Sequence, residues 1–266
     1  MRQIAISGAT RLNLIIGDPI VQVKSPAGLS RAFAAASREA IVAPAQIGSA
    51  QLDAFMEALT AMGNLDGIVV TLPHKFACLA HCSTMSDRAR HLQAVNVMRR
   101  NPDRRWHGDM LDGLGFVEAA IRKGFDFAGR RGILVGAGGA GSAIGLALLE
   151  AGLSSLSVHD SDTGKRDVLI AKLGSLSPHV GAGSDDATGY DVIVNASPAG
   201  MKGFEATAVD IATVASHAFV GCVVTEPEVT PLIDHARKLG CTTVTGSDMY
   251  EALEGRMLRF LIGEEP

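Results

Sequence analysis

Short apolar runs alternate with stretches whose apolar residues recur at helical spacing along most of this 266-residue chain. Alternation of that kind predicts βαβ units and a mainly parallel sheet, an α/β fold. Strands are expected near residues 12–17, 40–47, 66–72, 132–136, 155–159, 191–195, 218–224 and 242–245. Helices are expected between them, over 26–36, 50–61, 74–79, 113–123, 139–150, 164–173 and 231–239. A polar, turn-rich segment at 99–108 interrupts the pattern and marks a seam, which predicts two α/β domains, 1–112 and 113–246. The amphipathic stretch 249–262, within a terminal segment 247–266, is expected to cross back to the first domain.

Composition narrows the class. Apolar residues make up 47% and charged residues 20%, a globular balance. A net charge of -4 with one Trp and two Tyr offers neither the clustered cations nor the stacking surfaces of a nucleic-acid binder, so the expected partner is a small molecule. The segment Met1-Arg2-Gln3-Ile4-Ala5-Ile6-Ser7 lacks the apolar core of a secretory signal. The uncharged stretch 132–149 is long enough to span a bilayer by hydropathy, but its glycines and short β-type opening favour a soluble strand–turn–helix. Four scattered cysteines, Cys78, Cys82, Cys222 and Cys241, fit buried thiols in a reducing cytoplasm. Cys78, His81 and Cys82 share a helical spacing, yet no second ligand pair follows, so no metal site is expected.

The strongest local signal is Gly132-Ile133-Leu134-Val135-Gly136-Ala137-Gly138-Gly139-Ala140-Gly141, a strand running into G-x-G-x-x-G and then a helix. Gly136 permits the tight turn, Gly138 lets backbone approach a pyrophosphate, and Gly141 lets the helix pack closely on the strand. The helix N-terminus then offers N–H groups and partial positive charge to phosphates. Asp160 ends the next strand, where a carboxylate accepts from both ribose hydroxyls and repels a 2′-phosphate, so the expected cofactor is NAD. Asp162 competes for that role, and Lys165 and Arg166 keep NADP as the alternative.

Three further segments place polar residues at strand ends or turns: Lys24-Ser25-Pro26; Val70-Thr71-Leu72-Pro73-His74-Lys75; and Val95-Asn96 with Gly108-Asp109-Met110-Leu111-Asp112-Gly113. In this order, upstream of the glycine fingerprint and followed by Asn195-Ala196-Ser197-Pro198-Ala199-Gly200-Met201 and Gly246, they resemble the shikimate/quinate dehydrogenase family over nearly the whole chain. The resemblance implies an N-terminal substrate-binding domain, a C-terminal Rossmann-like NAD(P)-binding domain, an active site between them, and oxidation of a ring hydroxyl of a cyclic polyhydroxy carboxylate. Lys75 matches the family's catalytic lysine and Asp112 the aspartate paired with it. Such a pair suits the chemistry, because hydride leaves an alcohol carbon only if a neighbouring group takes the hydroxyl proton. Ser25, Thr71 and Asn96 match substrate-binding positions; Gly136 to Gly141, Asp160, Asn195, Ser197, Met201, Gly246 and Met249 match the cofactor side.

Five positions depart from the family pattern. Val23 replaces a hydroxyl residue two before Ser25, Met110-Leu111 replaces a polar pair before Asp112, Thr225 stands for a Tyr, and Leu253 for a Gln. A site that loses such contacts loses discrimination for a polar substrate, which implies a related or less hydroxylated carboxylate. Two alternatives stand beside this reading: another two-domain dehydrogenase such as a methylene-tetrahydrofolate dehydrogenase, and a ligand-sensing homologue without turnover. Monomer and homodimer are both compatible with the sequence.

Overall fold

The computed structural model describes residues 6–266; the reading of the first residues as leaderless falls mainly on 1–5, outside the described residues. Compactness divides the chain into one unit of Met1–Leu111 with Leu253–Pro266 and another of Asp112–Ala252.

The first unit opens with β1 (Arg11–Gly17), α1 (Ser25–Ala35), β2 (Ala40–Gln46), a 3-10 turn at Ser49–Gln51 running into α2 (Leu52–Leu59), and β3 (Leu65–Val70). β1 pairs in parallel with both β2 and β3. Ile15, Ile16, Ile68, Val69 and Val70 are almost wholly buried, the near-continuous apolar run of a strand covered on both faces. A 3-10 segment at Ala77–His81, β4 (Cys82–Met85), α3 (Asp87–Leu92), β5 (Val97–Arg100) and β6 (Trp106–Asp109) complete the sheet in the order β2-β1-β3-β5-β6-β4. β5 is antiparallel to β3 and to β6.

Two expectations are corrected here. Residues 99–108 are not irregular: they hold the end of β5, the turn and most of β6. Residues 74–79 are not an α-helix. They are a turn followed by 3-10 backbone, pinned where the His74 ring meets the Ile47 carbonyl at 2.6 Å, and too short to propagate a helix.

The second unit holds α4 (Asp112–Arg122), β7 (Arg131–Val135), α5 (Gly139–Glu150), β8 (Ser155–His159), α6 (Thr163–Gly174), β9 (Val180–Ala182), β10 (Val192–Asn195), β11 (Phe219–Cys222), α7 (Pro231–Lys238) and β12 (Thr242–Val244). Every strand pair is parallel, and the order is β12-β11-β10-β7-β8-β9. This is the doubly wound arrangement, with its topological switch point between β7 and β10. Ile133, Ile193 and Val220 on three neighbouring strands are fully buried in one core cluster. The uncharged stretch 132–149 is β7, a turn and α5, and among the described residues no helix is long and apolar enough to cross a membrane. α8 (Gly246–Leu261) starts in this unit and ends in the first.

Candidate functional site

In the first unit, backbone hydrogen bonds draw three of the expected residues together at one end of the sheet. Thr71 follows β3, and its N–H donates to the Ile16 carbonyl at 2.9 Å. The Val70 N–H donates to the Asn96 carbonyl at 2.7 Å, and the Val95 N–H to the Lys75 carbonyl at 2.9 Å. Asn96 thus hangs beside Thr71 and Lys75 although it comes from a separate segment. Lys75 is half-buried in its turn, next to the buried His74.

Asn96 is fully buried. Its Oδ1 accepts from the Leu111 N–H at 2.8 Å, and its own N–H donates to the Asp109 carbonyl at 2.9 Å, tying the segment before Asp112 to the same ladder. Asp109 ends β6 and is 2% exposed. Its carboxylate takes two guanidinium bonds from Arg88, each 2.8 Å, the Met110 N–H at 2.7 Å and the Ser86 hydroxyl. A buried carboxylate persists only with such a full set of donors. Sequence reading quoted Asp109 but gave it no role, and passed over Ser86 and Arg88. The available signal was a Ser-Asp start to a short helix, with Ser86 capping α3.

Ser25 opens α1 and is 5% exposed, but it does not cap the helix: the N-cap is Lys24, with no side-chain cap bond. Val23 is half-buried. Met110, Leu111 and Leu253 are buried, the last on α8 within the first unit. Asp112 is 5% exposed at the first turn of α4, and Thr225 is half-buried beyond β11.

The second unit's glycine turn has the form a phosphate-bearing cofactor requires. Gly136 has φ +104°, and a Cβ there would lie 2.7 Å from the Ala196 carbonyl carbon. A Cβ at Gly141 would lie 1.8 Å from the Gly136 oxygen, whereas around Gly138 there is nothing within 4 Å. Gly138 is the N-cap of α5 and offers no side chain to its first N–H groups; Gly139 and Ala140 start the helix half-buried, after the buried Ala137. Open space around Gly138 and a helix start without a side-chain cap fit a dinucleotide pyrophosphate.

Asp160 sits over the same turn. Its carboxylate accepts from the Ala137 N–H at 2.7 Å and the Asp162 N–H at 2.8 Å. The competing Asp162 is instead the N-cap of α6, accepting from the Lys165 N–H at 3.1 Å, a bond that holds its carboxyl below the usual range. Lys165 and Arg166 reach Asp162 and Asp167, at 3.5 and 2.8 Å.

Asn195 and Ser197 brace their loop: Asn195 Nδ2 donates to the Ala199 carbonyl at 2.8 Å and to Cys222 Sγ on β11 at 3.3 Å, and its Oδ1 accepts from the Ser197 N–H and hydroxyl at 2.9 and 2.7 Å. They shape the segment that carries the half-buried Met201. Gly246 starts α8 where a Cβ would lie 2.4 Å from the Val224 oxygen, and Met249, 7% exposed, follows within its first turn.

Among the described residues no group of three or more His, Cys, Asp and Glu could hold a metal ion. His81 faces Asp53 at 3.1 Å, and burial pushes the Cys78 and Cys82 thiols up to about 12.

Comparison with known proteins places this geometry. The family model described as the shikimate dehydrogenase substrate binding domain matches residues 15–98. The chain is 34% identical to the shikimate dehydrogenase (NADP(+)) of Rhodospirillum rubrum, across 92% of this chain and 89% of the relative. It is 30% identical to the quinate/shikimate dehydrogenase (NAD(+)) of Corynebacterium efficiens, across 95% and 93%. The solved structure of quinate dehydrogenase from Corynebacterium glutamicum in complex with NAD is similar with a TM-score of 0.86 at 28% identity, covering 97% of this chain and 95% of that one.

Proposed function

This chain belongs to the family of shikimate and quinate dehydrogenases, and from that premise we propose that it moves hydride reversibly between a ring hydroxyl of a cyclic hydroxy-carboxylate and NAD, with Lys75 and Asp112 as the acid–base pair. NAD, when bound, supplies the hydride acceptor. The protein's share is to hold the ring and manage one proton. Thr71 and Asn96 flank Lys75 on the backbone ladder described above, so a hydroxyl bonded by either is in range of a group that takes its proton. Asp112 orients the ammonium and balances its charge. Ser25 meets the substrate carboxylate. Val23, Met110, Leu111, Thr225 and Leu253 make the pocket less polar, which favours a ring with fewer hydroxyls or a different carboxylate from shikimate.

The observation that carries this reading is the pair of backbone bonds that sets Asn96 beside the segment of Thr71 and Lys75. The choice of NAD rests on the Asp160 carboxylate over the glycine turn, where a 2′-phosphate would meet negative charge, and on the carboxylate partners of Lys165 and Arg166. The domain roles follow: residues 1–112 with 247–266 bind substrate and 113–246 bind the dinucleotide. The test is reduced-cofactor formation, read by absorbance, over shikimate, quinate and related hydroxy acids with NAD and NADP. Turnover with at least one acid and preference for NAD are expected; cofactor reduction by none, with the cofactor still bound, points instead to the sensing homologue.

A further inference from the structure

The first unit holds a cavity of about 440 Å³ at the edge where β1 and β2 begin, the opposite end of the sheet from Thr71 and Asn96. Its volume far exceeds the ~10–15 Å³ that one water needs. The floor is a row across three strands: Asn13 on β1 is in register with Gly67 on β3, and Gly67 with Arg99 on β5. Residues in register emerge on one face, so Asn13 and Arg99 flank a position without a side chain. Gly67 is required there, because a Cβ would lie 2.3 Å from Leu261 Cδ2 and 2.6 Å from Asn13 Oδ1. A shift of register between Leu12 and Asn13 leaves Asp66 as the extra residue of a bulge, and a bulge re-aims its side chain, here onto Arg11. Phe33, Arg38 and Leu261 to Gly263 line the rest.

Two buried polar atoms of this floor, Asn13 Oδ1 and Arg99 Nε, have no hydrogen-bond partner among the described residues, although Asn13 is 2% exposed and buried polar atoms are ordinarily bonded. The charges are also unbalanced. Arg11, Arg38, Arg99 and Arg100 line the cavity against Glu39 and Asp66. Asp66 is taken by Arg11, and Glu39 by the Ser7 and Thr10 hydroxyls. Arg38 and Arg99 have no carboxylate partner among the described residues. Nearby, burial and then Arg104 hold the Arg100 guanidinium below its ordinary range, and burial and then the cavity-lining Arg99 do the same to His107.

We infer that this cavity is a second ligand site, separate from Lys75 and Asp112, for a small hydroxylated carboxylate. The carboxylate meets the Arg38 and Arg99 guanidinium groups, whose planar donors match it, and a ligand hydroxyl donates to Asn13 Oδ1, which a plain carboxylate cannot do.

The test is calorimetric titration of the full chain with L-malate and with succinate, which lacks the hydroxyl. Saturable malate binding is expected, about tenfold tighter than succinate, the equivalent of one hydrogen bond. Arg38→Ala, at an exposed position, weakens both acids about tenfold, and Asn13→Leu abolishes the preference for malate. Absence of saturable malate binding, or malate binding unchanged in Arg38→Ala, overturns the site. An unaltered preference in folded Asn13→Leu overturns the ligand class. Neither readout uses turnover, so failure here leaves the catalytic reading intact.

Discussion

The two units hold their proposed functional residues by different means. In the second, one turn between β7 and α5 suffices: Gly136, Gly138 and Gly141 shape it, and Asp160 at the next strand end bonds into it. In the first, Thr71 and Lys75 on one segment meet Asn96 on another through cross-chain backbone bonds, steadied by the buried Asp109 carboxylate and its half-buried partner Arg88. A site written in consecutive residues tolerates changes elsewhere in its unit. One assembled from separate segments depends on contacts some way from its chemistry.

The sharpest way to break the local site is Gly141→Ala. Its new Cβ cannot coexist with the Gly136 oxygen 1.8 Å away, so the turn must open. Overpacking of this kind costs about 1–3 kcal/mol, and NAD affinity should fall about a hundredfold by calorimetry, an effect of about 2.7 kcal/mol. Retained NAD binding would show that the turn does not hold the cofactor.

The assembled site breaks from a distance. Arg88→Ala leaves the buried Asp109 carboxylate without its half-buried guanidinium, and since losing one member of a fully buried pair costs about 3–5 kcal/mol, a loss below that range is expected; a shift of the urea midpoint measures it. An apolar replacement of both, Arg88→Leu with Asp109→Leu, should restore much of that stability yet lower turnover, because Asn96 and the residues before Asp112 lose their frame. Full turnover in the double variant would limit the pair to a structural role.

A smaller effect separates cofactor choice from cofactor binding. Asp160→Ala removes one charge-assisted bond to the turn and the repulsion of a 2′-phosphate, so NAD affinity should weaken about tenfold and the gap between NAD and NADP should narrow. An unchanged ratio in paired titrations would move the selectivity to another residue.

The same contrast governs what the sequence revealed. The repeating strand–helix pattern and the glycine spacing displayed the second unit nearly whole; β9, three residues of Val-Gly-Ala at a sheet edge, and a 3-10 turn at Ile211–Thr213 went unseen, each too short for periodicity to register. In the first unit the hairpin of β5 and β6 was hidden because its polar residues cover apolar surface. The Arg100 guanidinium lies 3.7 Å from the Trp106 ring centroid and Arg99 lies over Phe260, so charged heads mask stems that pack. Lys75, Asp112, Thr71 and Asn96 stood out through their resemblance to a family. Arg88 did not, since its partner is distant in sequence and no local pattern joins them.

The pairing of Lys75 with Asp112 as the proton-handling groups is tested most directly by Lys75→Ala, measuring turnover and NAD affinity on the same preparation. The account predicts a fall in turnover of about 10²–10⁴-fold, the usual share of general acid–base catalysis, with NAD affinity unchanged. Undiminished turnover would contradict it.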